Sequence, residues 1–209
     1  MKKAMDKLLN NIKFDKRYVF FCLILVILGI ATGAIFIVIL NSTDKSLVIE
    51  YISAFIDSIK NNTINYLDTF KNVIIINYII LGIIIFIGFT YFLIPINIII
   101  LFYKAFIIGF SLGSFVLTYK IKGLILSFIY IFPHLVINII LFSLLTAFTM
   151  KLSFKMIKCI IKKKEVNIRQ YFNKYISVLL FLIIIITFSS LYEAFIAPIA
   201  LKLVTNLIL

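Results

Sequence analysis

Two apolar blocks either side of a short basic turn set the terms on which this chain can fold. Between Pro95 and Met150 the sequence reads PINIIILFYKAFIIGFSLGSFVLT, then YKIKG at Tyr119 to Gly123, then LILSFIYIFPHLVINIILFSLLTAFTM. Each block is longer than the roughly 20 residues that carry a helix across a bilayer. Each also carries what a plain anchor lacks. The first holds Lys104 and a row of small residues, Ala105, Gly109 and Gly113, at i, i+4 and i+8. The second holds Pro133, the sole histidine His134, and Asn138 one turn on. The spacing predicts a helical hairpin, with the remaining segments packed around it.

The rest of the chain agrees with that environment. Of its 209 residues 64% are hydrophobic, and the mean hydropathy is +1.19. That is more apolar content than a soluble domain of this length uses, so the reading is an all-α polytopic membrane protein. The net charge of +13 is concentrated at the flanks of apolar runs. Charge so placed points to anionic lipid and membrane orientation rather than to nucleic acid. Cys22 and Cys159 fall in or beside apolar runs and suggest neither a disulfide framework nor a metal site.

Residues 1–17, MKKAMDKLLNNIKFDKR, form a basic flank expected to stay in the cytoplasm. The first span is read at 18–40, uncleaved, and contains Gly29 and Gly33 in a GxxxG spacing that suits close helix contact. Residues 41–71 are the sizeable polar segment of the far side. Within them Val48, Ile52, Phe55 and Ile59 recur at helical spacing, which predicts an amphipathic helix on the outer membrane face. Two readings of it stand: a cover for the bundle, or a face for a partner. The second span is placed at 72–94, ended or kinked by Pro95. The third is placed at 96–119 and the fourth at 123–150. The basic segment 151–174 follows, where Lys151, Lys155, Lys158 and Lys162 form one helical stripe suited to anionic head groups, or simply an orientation signal. The fifth span is placed at 175–198, with Glu193 inside its apolar run. The tail, 199–209, is too short to cross and is expected at the outer interface.

Orientation follows from parity. If both basic segments share the cytoplasmic side, an even number of crossings separates them, and the four blocks supply it. The fifth crossing then puts the C-terminus outside. A re-entrant central pair would preserve the same parity.

Ionisable groups inside a membrane need a partner or a cavity. Counting about 1.5 Å per residue puts Lys104 roughly 12 Å from the inner end of its span, and His134 roughly 16 Å from the outer end of the next. Lys104 is therefore expected to meet the Pro133–Asn138 region. The same count puts Glu193 roughly 27 Å from the inner end of its span. There its expected partners are Lys120 and Lys122 at the hairpin tip, with His134 at the wrong depth. Such a polar core suits transport or a relay; with one histidine and no cluster of acids it suits better a structural pin that fixes helix register. Motifs for metal hydrolysis, acyl transfer or phosphate binding are absent from the sequence, and a lone histidine has no metal spacing. The reading is not an enzyme, and it needs no cofactor.

The blocks FYKAFIIGFSLGSFVLTYKIKGLILSFIYIFPH and SLYEAFIAPIALK carry a resemblance. With Lys104, Gly109, Gly113, Lys122, Gly123, Pro133, Glu193, Ala194 and Pro198 in place, the chain resembles the stage II sporulation protein M family over nearly its whole length. The resemblance implies a role in endospore formation, during engulfment of the forespore by the mother-cell membrane. It implies a polytopic scaffold at the septum that holds two peptidoglycan-degrading partners, stage II sporulation proteins D and P. The competing expectation, from Lys104, Glu193 and the prolines, is a small transporter or permease component.

Overall fold

The computed structural model describes residues 15–89, 93–161 and 168–208. Every regular element among them is helical. Five helices are long and apolar enough to cross a membrane, which makes this a polytopic helical membrane fold.

Helix α1, Lys16–Ile39, starts where the Asp15 carboxylate accepts from the Arg17 amide. Helix α2, Ser42–Lys60, carries Val48, Ile52, Phe55 and Ile59 along one side. Ile56 and Ile59 are buried; Ile52 and Phe55 pack against the core. The helix stops at Asn62, whose φ of 55° is a left-handed conformation that asparagine tolerates. There the Thr63 amide reaches back to the Ser58 carbonyl and the Asn62 amide to Ile59, closing two carbonyls that the helix end would otherwise strand. Asn65 then opens α3, Tyr66–Phe89. Its Oδ1 accepts from the Leu67 and Asp68 amides, and its Nδ2 donates to the Asp68 carboxylate at 2.6 Å. That reciprocal cap explains a helix start seven residues ahead of the apolar run at Val73.

Helix α4, Ile94–Tyr130, begins with Pro95 in its first turn, where a missing amide costs nothing. Its backbone breaks at Lys120, with φ 53° and ψ −128°. A Cβ built on Gly123 would overlap the Phe115 carbonyl. In a continuous helix those two residues would stand about 12 Å apart. The chain therefore reverses at Lys120, inside the basic turn expected from the sequence. The returning arm passes through Ile131 into α5, Phe132–Ile161, with Pro133 at the junction. Helix α6, Ile168–Leu191, continues through one π turn, Tyr192–Ile196, into α7, Ala197–Ile208.

Cross-helix contacts fix the directions. Gly29 lies against Ala105, Gly33 against Phe106 and Phe110, and Gly113 against Ile37, so α1 and the first arm of α4 run parallel. Asn97 meets Thr146, and Lys104 meets Phe142, so α5 runs opposite to that arm. Asn77 meets Ser190 and Tyr78 meets Thr187, so α6 runs opposite to α3. Successive crossings thus alternate. Tyr18 stacks on Phe154 at 5.8 Å, which puts the start of α1 and the end of α5 at one end of the bundle. Lys16 and Arg17 share that end with Lys151, Lys155 and Lys158, the latter three all on α5. Lys162 lies outside the described residues. Helix α5 is the middle of the bundle: 56% of its apolar window is buried, against 22–33% in the other four.

Helices α1, α3 and α6 start ahead of their expected spans, and the elements differ from the expected bounds in three further places. Helix α4 outruns the 96–119 span at its return, because the chain stays helical on both sides of Lys120. Helix α5 runs on to Ile161 through the basic stripe, since lysine favours helix as readily as the residues before it. The tail is helical: α7 prolongs α6 and packs on α2 and α4. The π turn makes that possible. The Ala197 amide bonds the Tyr192 carbonyl, five residues back. This widened turn accommodates Pro198, which lacks an amide and would crowd a tighter helix.

Candidate functional site

Two rows of small residues build a close contact between α1 and α4. Gly29 and Gly33 on α1 face Ala105, Gly109 and Gly113 on α4. A Cβ at Gly33 would overlap the Phe106 carbonyl, and one at Gly109 the Ile30 carbonyl. Small residues at this spacing let two backbones meet, where packing in lipid must come from close approach. Read separately in the sequence, the two rows are one interface in the structure. Its consequence for the site is rigidity: α4 is held on α1, and its opposite side carries Lys104.

That side faces a polar cluster. The Lys104 ammonium donates to Asn77 Oδ1 at 3.2 Å, and the Asn77 amide donates to Ser190 Oγ at 3.3 Å. The same ammonium lies 5.5 Å from the Phe142 ring centroid, a cation–π contact. The neighbouring Ser189 Oγ donates to the His134 carbonyl at 3.2 Å. His134 Nε2 stands 3.7 Å from Glu193 Oε1, and the histidine is buried. Tyr130 meets the imidazole edge-on, at 5.8 Å between centroids, and Tyr192 lies tilted at 6.3 Å. His134 Nδ1 has no hydrogen-bond partner among the described residues. Asn138 is buried, and its Oδ1 has no partner among the described residues. Lys104 and Glu193 are close enough to interact electrostatically.

The cluster borders a cavity of about 710 Å³. Helix α2 contributes Ile52 and Phe55 to its wall, α3 contributes Val73 and Asn77, α4 contributes Lys104 and Ser114, and the start of α5 contributes His134. Glu193 reaches it from the π turn. The widened turn and the proline junction between α4 and α5 are both irregular places in the bundle, and each delivers one ionisable group of the His134–Glu193 pair. Helix α2 thus covers the polar cluster with its apolar side.

Two sequence expectations need correction. Glu193 faces His134, not Lys120 or Lys122, both of which are exposed at the hairpin tip. The depth count took α4 to end at the membrane edge. From Lys104 to Lys120 the helix instead rises roughly 24 Å, carrying the tip well past the level of the cluster. Lys104, for its part, is bound by Asn77 and Phe142 rather than by a carbonyl freed at Pro133 or by the Asn138 amide. Asn77, Ser189, Ser190 and Tyr130 were not singled out in the sequence. A signal for three of them was there: Asn77 is a polar interruption of an apolar run, and the serine pair stands one turn before Glu193. The described residues hold no group of three or more His, Cys, Asp or Glu side chains that could bind an ion.

Comparison with known proteins bears on the whole bundle. No curated protein and no solved structure matches the chain. The profile of the stage II sporulation protein M family matches residues 21–198, from the first turns of α1 to the proline after the π turn. That stretch includes both small-residue rows, the Lys120 reversal and every member of the polar cluster, and the chain belongs to the stage II sporulation protein M family.

Proposed function

We infer that this protein is a membrane scaffold of endospore formation, acting during engulfment at the septal or engulfing mother-cell membrane. Its role in that reading is to hold peptidoglycan-degrading partners, the counterparts of stage II sporulation proteins D and P, without itself cutting the wall. The observation that carries it is the family match over residues 21–198. The fold supports it in kind: a rigid α1–α4 pair, and an end of the bundle where α2, which is not one of the five apolar spans, packs with the second half of α4 and with α7. The orientation that goes with it puts Lys16, Arg17 and the basic stripe of α5 in the cytoplasm, by the positive-inside rule. Helix α2, the tip and α7 then face outward, toward the wall.

The test is recovery of partners with tagged protein from sporulating cells. Two wall-degrading proteins are expected in stoichiometric yield. Their absence, with the tagged protein intact and in the membrane, overturns the scaffold reading.

The cavity favours one other reading. A polar cluster at a helix break between spans is where transporters bind solutes. That reading of the protein as a small transporter or permease component requires substrate flux into vesicles that depends on Lys104 and Glu193.

A further inference from the structure

The cavity beside Lys104 has the size and the walls of a binding site rather than of a packing gap. Its volume of about 710 Å³ falls within the roughly 300–1,000 Å³ of small-molecule sites, which likewise join apolar walls to a few placed polar groups. Packing gaps in protein interiors seldom exceed a water molecule.

Its mouth shows where an occupant comes from. Four wall residues are well exposed: Leu47 at 63% and Tyr51 at 78% on α2, Ile76 at 54% on α3 and Ile107 at 37% on α4. Ile76 and Ile107 stand inside the apolar runs of α3 and α4. An opening rimmed by isoleucines at that level faces lipid chains, not water. Helices α3 and α4 touch each other only lightly, which leaves the slot between them.

Its polar end shows what kind of head fits. One ammonium, Lys104, and one carboxylate, Glu193, face the same space. A purely anionic head would be attracted by the first and repelled by the second, and a purely cationic head the reverse. A head carrying both signs satisfies both. The hydroxyls of Ser111 and Tyr130 on the wall add donors for further acidic oxygens.

We propose that the cavity binds a membrane amphiphile with a zwitterionic head, its chain in the α3–α4 slot, its acidic oxygens on Lys104 and its ammonium N–H groups on Glu193. Such an occupant covers the polar cluster from the lipid side as α2 covers it from the end of the bundle. This assignment stands apart from the scaffold reading: retained lipid tests one, and partner recovery tests the other.

The experiment uses the full chain in detergent, delipidated and then exposed to phosphatidylethanolamine, phosphatidylglycerol or phosphatidylcholine, with retention read by native mass spectrometry. About one phosphatidylethanolamine per chain is expected, retained at least tenfold over phosphatidylglycerol. Phosphatidylcholine, whose head has no N–H to give Glu193, is expected at least threefold below phosphatidylethanolamine. Lys104→Met and Glu193→Gln should each lower retention at least fivefold. Ile76→Trp blocks the mouth from a position that is 54% exposed, and should lower it similarly at unchanged melting temperature. Equal retention of all three lipids means only an annulus of bulk lipid and overturns the proposal. So does wild-type retention in Ile76→Trp, or tight binding of free leucine in place of lipid, which would make the site one for a soluble zwitterion.

Discussion

At the scale of single residues, the cluster turns on charges that cannot be removed independently. Lys104 holds Asn77 and sits near Glu193; Glu193 holds His134. Removing one member leaves partners unsatisfied in a place where water is scarce. Lys104→Met should therefore cost about 2 kcal/mol of stability. The double variant Lys104→Met with Glu193→Gln should cost less than the sum of the singles, by roughly 1 kcal/mol or more, because neither charge is then stranded. Thermal melts of the four proteins in one detergent check it, and additive effects would show that the two groups do not sense each other. Lys104, His134 and Glu193 were each visible in the sequence as ionisable residues within apolar runs. Their pairing was not. It depends on how far each helix projects, and a count along straight spans cannot include a π turn or a hairpin tip that runs past the level of the cluster.

The helices themselves were legible because hydrophobic length and helical periodicity need no knowledge of neighbours. Small-residue spacing was legible for the same reason, while the partner of each row was a fact of tertiary structure. That partnership makes sharp demands. Gly33→Ala and Gly109→Ala each put a methyl into the facing backbone and should destabilise by about 1–3 kcal/mol. Gly82 faces open space on α3, so Gly82→Ala should be neutral or stabilise by up to about 1 kcal/mol through helix propensity. Folded yield and melting temperature across the three variants distinguish a packing interface from general intolerance of alanine. At the hairpin, Lys120 holds a backbone conformation that lysine adopts only under strain. Lys120→Gly should relieve it and raise stability by about 1 kcal/mol. A fall in melting temperature would mean instead that the lysine side chain is what holds the reversal together.

For the molecule as a whole, alternating helix directions and the Tyr18–Phe154 contact tie both basic segments to one end, the arrangement that parity along the sequence requires. Which end is cytoplasmic is then decided by charge. Single cysteines at Asp57 and at Lys120 should react with an impermeant reagent in intact cells, while one at Lys158 should react only after lysis. The opposite pattern would invert the protein in the membrane. The π turn bears on the molecule at this scale too. It amounts to one residue more than an α-helix needs, so α6 and α7 form a single rod with two angular settings, offset by about 100°. Leu201 and Thr205 are buried only in the second setting. Wound as a plain helix, the same residues would turn α7 on its axis by that angle, and Lys202 would leave Asn62, to which it donates at 2.7 Å. Deleting Phe195 would instead remove the extra residue and keep α7 in its present setting. The extra residue works like a tooth added to a gear: it leaves the axis where it is and decides which faces mesh beyond it.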